Sequence, residues 1–145
     1  MSIEFPEPKE GFVLTHFVVS ADVRRAAHFY SEVLGGELVR DGEPSIVALA
    51  SGWVIINEGG GPTADKPSVT LGPPGEPGYV SGFLNIRVAD IAAVYERWSA
   101  RGAAFLTPPM KRDREIRCYL RDPDGHLIEV GQTTVPFAVP DRPAT

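Results

Sequence analysis

The chain has 145 residues and a formal net charge of -5 at pH 7, with 14 Lys and Arg residues scattered singly or in pairs. This length predicts one domain with a substantial core, and the lack of a basic stripe argues against nucleic acid as a partner. The single cysteine, Cys118, excludes an internal disulfide framework, and no stretch approaches the roughly 20 apolar residues of a membrane span. Because the N-terminus has no charged-then-apolar leader, we expect a cytoplasmic protein with no membrane partner.

Pro-rich and charged segments at both ends predict arms outside the packed domain, ordered only where they dock. A stretch rich in Gly and Pro within residues 57–81 is too interrupted for a helix and predicts a boundary between two halves. The predicted divisions are an N-terminal arm 1–12, a single domain 13–132 that comprises module one 13–72 and module two 82–132, and a C-terminal tail 133–145.

The first module opens with a β-rich run that leads into an amphipathic helix. Asp22 is a suitable N-cap and Gly35 a suitable C-terminal stop. Three short strand-like pieces separated by Gly and Pro follow: GGELVRD, PSIVALA and GWVIINE. The apolar stripe of the helix is Val23, Ala26, Ala27, Tyr30, Val33 and Leu34.

The second module repeats this plan. A strand leads to Asp90 as the N-cap and Gly102 as the stop, and the pieces AAFLTPP, EIRCYLR and GHLIEVGQ follow. Each half is therefore β-α-β-β-β, and one such unit leaves a sheet face uncovered. We predict an α+β fold in which two βαβββ modules form a curved, mixed eight-stranded sheet with the helices outside. The stripe of the second helix is Ile91, Val94, Tyr95 and Trp98.

Glu129 is a carboxylate among apolar neighbours on the last predicted strand. Ile128 and Val130 flank it, so if these two face the core, Glu129 faces the other way. One interpretation is a solvent-facing side chain, and the other is a ligand or general base in a cavity. We favour the cavity, because a carboxylate on a concave face is costly unless it is paired.

The motifs THFVVSADVRRAAHFYSEVLGG in the first half, and IRVADI with DPDGHLIEV in the second, resemble the vicinal oxygen chelate superfamily. That superfamily includes glyoxalase I, extradiol dioxygenases, fosfomycin resistance proteins and the bleomycin resistance protein. The resemblance covers nearly all of residues 13–132. It implies paired βαβββ modules around a pocket, a small-molecule ligand or substrate, and a homodimer.

The resemblance also implies metal ligands on the first strand of each module and on the last strand of the second. His16 and Glu129 fall at two of these positions, and their donor atoms suit Mn, Fe, Ni, Co or Zn equally well. The middle position holds Phe83 or, with a shift of one residue, Leu84, and neither can bind a metal. Asn85 offers only a weak amide oxygen. Two ligands are fewer than the usual three of a catalytic site, and His16 is alternatively a hydrogen-bonded core or cavity histidine.

Several side chains near these positions are candidates for contacts with a bound molecule. Arg87 lies on the predicted face of Asn85 and can either hold an anionic group or point to solvent. Arg117 and Tyr119 share one face of EIRCYLR, and Trp53 is either a pocket wall or part of the core. The expected substrate-binding residues are Trp53, Phe83, Asn85, Arg87, Arg117 and Tyr119.

Two functions remain open from the sequence. The first is an enzyme, a metal-dependent lyase, isomerase or dioxygenase of the vicinal oxygen chelate type, with His16 and Glu129 as ligands and Glu129 as the catalytic residue. The second is a metal-free protein that binds a small molecule or drug, as bleomycin resistance proteins do, without catalysis. The missing third ligand favours the second function, and the placement of His16 and Glu129 favours the first.

Overall fold

The chain folds into two modules of the same βαβββ plan. A computed structural model describes residues 5–76 and 78–141; residues 1–4 of the predicted arm and 142–145 of the predicted tail lie outside the described residues. The helices are α1 Val23–His28, continued by a π-helical segment Phe29–Val33, and α2 Ile91–Ala100. The strands are β1 His16–Ser20, β2 Glu37–Arg40, β3 Ser45–Leu49, β4 Gly52–Glu58, β5 Leu84–Arg87, β6 Ala104–Phe105, β7 Met110–Lys111, β8 Glu115–Arg121 and β9 Leu127–Thr133.

Both helices begin and end where the sequence predicts. The Asp22 side chain accepts a hydrogen bond from Arg25 N at 3.1 Å, and the Asp90 side chain accepts one from Ala93 N at 3.1 Å. Each bond satisfies a backbone donor that the first helical turn leaves free. Gly35 and Gly102 follow the helices with positive φ angles of 86° and 100°, which side chains with a Cβ rarely adopt.

The strands of the two modules form separate sheets, and the α+β fold with paired βαβββ modules is confirmed. The first sheet has the order β1-β4-β3-β2, and the second has the order β5-β9-β8-β6 with β7 also paired to β8. The sequence predicted a curved, mixed eight-stranded sheet; the described residues form nine strands in two mixed sheets that do not close. In each module the first strand pairs in parallel with the last, so that β1 and β5 each lie at a sheet edge.

One hydrophobic core joins the modules on the helix side of the sheets. It contains residues from both helices, such as Tyr30 and Trp98, together with alternate residues of the strands, such as Val18, Ile128 and Val130. Because successive strand residues point to opposite faces, the odd-numbered residues of β9 lie on the other face of the second sheet. This other face, which we call the open face, carries Glu129.

The turn between β8 and β9 ties the second module to the first. The Asp122 side chain is buried and accepts hydrogen bonds from the Tyr30 hydroxyl at 2.8 Å and from the backbone N–H groups of Asp124 and His126, each at 2.9 Å. Asp124 in turn accepts a hydrogen bond from the Ser20 hydroxyl at 2.6 Å, at the end of β1. We call these five residues the turn cluster. They fix the start of β9, and so the position of Glu129.

Candidate functional site

Glu129 lies in the middle of the open face, between Asn85 of β5 and Tyr119 of β8 in the strand register. Its side chain is almost fully buried, and Oε2 accepts a hydrogen bond from the Tyr119 hydroxyl at 2.9 Å. Oε1 is 3.9 Å from Nη1 of Arg87. Burial and the bond to Glu129 raise the pKa of Tyr119, so that the phenol stays protonated as a donor. The carboxylate is therefore paired on the open face.

One register step further along, two arginines lie on either side of a glycine. Arg87, Gly131 and Arg117 are aligned across β5, β9 and β8. Glu115 connects the two guanidinium groups, because its Oε2 accepts from Arg87 Nη1 at 2.7 Å and its Oε1 accepts from Arg117 Nη1 at 3.2 Å. The bond from Arg87 is the main reason that the pKa of Glu115 is lowered. These side chains form a charged layer beside the pair of Glu129 and Tyr119.

Gly131 makes room for the Arg87 guanidinium. A Cβ atom at position 131 would lie 1.9 Å from Arg87 Nη1 and 2.7 Å from Cζ. The guanidinium thus lies directly over the β9 backbone, with its second nitrogen donating to Thr133 Oγ1 at 2.9 Å. A residue with a Cβ at position 131 would therefore have to displace the Arg87 guanidinium, which is the flexible end of that side chain.

The C-terminal tail forms one wall of this site. Thr134 N and Val135 N both donate to the Arg114 carbonyl, at 2.8 and 3.1 Å. The Arg114 side chain bonds the Pro136 carbonyl at 3.2 Å, and its Cζ lies 4.6 Å from the centre of the Phe137 ring. The sequence predicted a tail that is ordered only where it docks, and residues 133–137 contact the second module.

A cavity of about 470 Å³ lies between the open face and the tail. It has the size of many ligand sites, which run from about 300 to 1,000 Å³. We call it the arginine cavity, because four of its residues are arginines. The lining residues are Asn85, Arg87, Arg112, Asp113, Arg114, Glu115, Arg117, Glu129, Thr133, Val135 and Phe137.

Three of the predicted binding residues, Phe83, Tyr119 and Trp53, do not line this cavity. The Phe83 ring is 42% exposed and packs edge-on against Tyr119, with the ring centres 6.0 Å apart. Trp53 lines a second cavity, of about 290 Å³, between the β1 and β5 sides of the molecule. Its ring packs edge-on against Phe5, with the centres 5.8 Å apart. Asn85 and Arg87 line both cavities.

His16 lies on the core-facing side of β1, whereas Glu129 lies on the open face. His16 shares one face of β1 with Val18 and Ser20, which are 0% and 1% exposed in the core. Burial lowers the pKa of His16, and the charge of nearby His126 lowers it further. His16 lines the second cavity and Glu129 lines the arginine cavity.

This arrangement does not fit the divalent metal implied by the family resemblance. The two ligands expected from the sequence, His16 and Glu129, belong to different faces and different cavities. No group of three or more His, Cys, Asp and Glu side chains within 5–76 and 78–141 is placed to hold a metal ion. Leu84 and Phe83, at the middle ligand position, have no donor atoms.

Some site residues were missed in the sequence, and for different reasons. Glu115 lies two residues before Arg117 and four before Tyr119, so the alternation of side chains along β8 places all three on one face. The sequence therefore contained the signal for this residue. Arg112 and Arg114 lie at the turn between β7 and β8, where no periodicity applies. Phe137 lies in the tail, and its contact with Arg114 depends on tertiary structure alone.

The sequence profile of the Glyoxalase/Bleomycin resistance protein/Dioxygenase superfamily matches residues 13–130. The chain belongs to this superfamily, which confirms the resemblance found in its motifs. A search of curated protein sequences found no match. In the described part of the chain, no helix has the length and apolar character needed to cross a bilayer.

Solved structures of the same fold resemble this chain over most of its length. An antibiotic-binding protein, TnmS3 from Streptomyces sp. CB03234, is 23% identical, with a TM-score of 0.63 over 88% of this chain and 99% of that one. An integron cassette protein from the mobile metagenome of V. cholerae is 21% identical, with a TM-score of 0.65 over 87% and 98%. The fosfomycin resistance protein FosX from Listeria monocytogenes is 16% identical, with a TM-score of 0.63 over 86% and 95%. At these identities, the likeness establishes the fold alone.

Proposed function

We propose that this protein binds a small organic molecule in the arginine cavity and does so without a metal. The observation that carries the proposal is the cavity of about 470 Å³ whose lining combines four arginines, the nearly buried Glu129, and the apolar wall of Val135 and Phe137. A few placed polar groups beside an apolar surface are typical of ligand sites. The antibiotic-binding and fosfomycin resistance proteins among the similar structures support a small molecule as the ligand class.

Within this proposal, the residues predicted from the sequence have distinct roles. Arg87, Arg117 and Asn85 contact polar groups of the ligand, and Tyr119, which does not line the cavity, orients Glu129 through its hydroxyl. Glu129 accepts a hydrogen bond from the ligand with the lone pairs that Tyr119 leaves free. Phe83 supports the Tyr119 ring from outside the cavity.

The uncharged fluorescent probe N-phenyl-1-naphthylamine tests this proposal. We expect saturable binding to the wild type, and about fivefold weaker binding to Phe137→Ala, because that variant loses an aromatic contact surface. The control is Phe12→Ala, which removes an exposed aromatic ring that does not line the cavity. Equal affinity of the two variants, or no binding to the wild type, would overturn the proposal.

Gly131→Ala tests the charged layer. We expect this variant to displace Arg87 and weaken probe binding about threefold to tenfold, because the new methyl group occupies the place of the guanidinium. Gly60→Ala is the matched control, since a Cβ at position 60 has no atom within 4 Å. Probe affinities within twofold of each other for the two variants would show that Arg87 is not part of the binding site.

A second candidate is an enzyme in which Glu129 acts as a general base. The supporting observation is that a nearly buried carboxylate with a protonated phenol beside it lines a ligand-sized cavity. Glu129 would remove a proton from a bound carbon acid and return it. With a ligand that has an acidic C–H bond, the wild type should accelerate exchange of that hydrogen in D₂O and Glu129→Gln should not. Equal exchange rates for the wild type and Glu129→Gln would contradict a catalytic role of Glu129 and leave binding as the proposed function.

We also propose that two copies associate and that the protein acts in the cytoplasm. Phe12, Leu14 and Phe17, which lie in or before β1 at the edge of the first sheet, are 102%, 92% and 47% exposed. Exposed apolar side chains at a sheet edge suit contact with a second copy. Sedimentation velocity of the wild type and of Phe17→Glu tests the association. We expect the variant to dissociate into monomers at higher protein concentrations than the wild type does. Cell fractionation tests the location.

A further inference from the structure

We infer that the ligand of the arginine cavity is an aromatic acid whose anionic group binds Arg112. This inference rests on the proposed function, and it names the ligand class of the same site. Arg112 was not among the residues predicted from the sequence.

Three of the four cavity arginines are already engaged within the protein. Arg87 and Arg117 share the carboxylate of Glu115. Arg114 bonds the Pro136 carbonyl and lies against the Phe137 ring. These contacts hold the three guanidinium groups in place and use part of their hydrogen-bonding capacity.

Arg112 is the exception. Among the residues that the structure describes, its guanidinium has no hydrogen-bond, ion-pair or ring partner. Its backbone N–H donates to the Glu115 carbonyl at 2.8 Å, which fixes the base of the side chain beside the charged layer. Its five side-chain donors are therefore available in a fork that matches two oxygens of one anionic group.

The charge of the cavity favours an anion over a cation. Four arginines line it against three acidic residues, which leaves one positive charge in a chain whose net charge is -5. Of the acids, Asp113 has a side chain that is 97% exposed, and Glu115 is held by two arginines. A cavity of opposite sign to the rest of the protein attracts anions and repels cations.

The apolar wall of the cavity indicates the chemical character of the rest of the ligand. Val135 and Phe137 line the same cavity as Arg112, and both are partly exposed, at 49% and 72%. Arg114 presses on the Phe137 ring and so orients it. A planar ring has the shape to lie against Phe137 while an attached carboxylate or sulfonate reaches Arg112.

Two probes that differ in one anionic group provide the test. 8-Anilino-1-naphthalenesulfonate carries a sulfonate that N-phenyl-1-naphthylamine lacks, and the ring systems are the same. We expect Arg112→Met to weaken binding of the sulfonate probe about tenfold and to leave the uncharged probe within about twofold. Arg112→Lys keeps the charge and should retain most of the affinity for the sulfonate.

Arg24→Met is the matched control, because it removes one exposed arginine of α1 that does not line this cavity. It should leave both probes unchanged. An equal effect of Arg112→Met on both probes, or no effect on either, would overturn the inference while the proposed function stands. Failure of both probes to bind the wild type would overturn the two together.

Discussion

Two polar clusters hold β9 in place, and they differ in how much of their hydrogen-bonding capacity the protein itself uses. In the turn cluster, both carboxylate oxygens of Asp122 accept hydrogen bonds, and the Ser20 hydroxyl donates one to Asp124. In the arginine cavity, by contrast, the Arg112 guanidinium has no partner among the described residues. The first cluster is buried and joins the modules, whereas the second lines open space. A polar cluster that is internally satisfied stabilises the fold, and one with spare donors is suited to a ligand.

The largest expected effect is on the turn cluster. Asp122→Ala should lower the free energy of unfolding by about 3 kcal/mol, because three donors lose their acceptor in a buried place. Urea denaturation followed by circular dichroism measures it. Asp113→Ala, at a side chain that is 97% exposed, is the control and should change stability by less than about 0.5 kcal/mol. Equal losses of unfolding free energy in the two variants would show that the hydrogen bonds of the turn cluster do not stabilise the fold.

A pair of Tyr→Phe variants compares the two clusters with the same chemical change. Tyr30→Phe removes a buried hydroxyl from Asp122 and should cost about 1.5 kcal/mol. Tyr119→Phe removes a hydroxyl from Glu129 at the cavity, where solvent can replace it, and should cost about 0.5 kcal/mol. The reverse order of the two unfolding free energies would contradict the comparison.

The smallest expected effect is a pH dependence of the charged layer. The pKa of Glu115 is lowered in the folded protein, so its ion pairs with Arg87 and Arg117 contribute stability above its usual pKa of 4.5 and lose it as the pH falls through the lowered value. Glu115→Gln should therefore be less stable than the wild type by about 0.5 kcal/mol at pH 7, with the difference vanishing in acid. A difference that grows as the pH falls would contradict the assignment.

Alternation along strands predicted much of the site. Period-two spacing gave Arg117 and Tyr119 one face of β8, and gave Glu129 the face opposite Ile128 and Val130, as the structure has them. The same rule, applied to β1, groups His16 with Val18 and Ser20. It could not tell which of the two β1 faces the core covers, and for that reason the expected partnership of His16 with Glu129 was only a hypothesis.

The local chemistry of the sequence by itself determined the helix limits, the repeated βαβββ plan and the strand faces. Asp22, Asp90, Gly35 and Gly102 act within a few residues of their own position, so no distant contact is needed to interpret them. Only the tertiary structure decided that the strands form two sheets, that Phe137 lines the cavity and that the Arg112 side chain has no partner among the described residues. These outcomes depend on contacts between residues far apart in the chain, which no local pattern encodes.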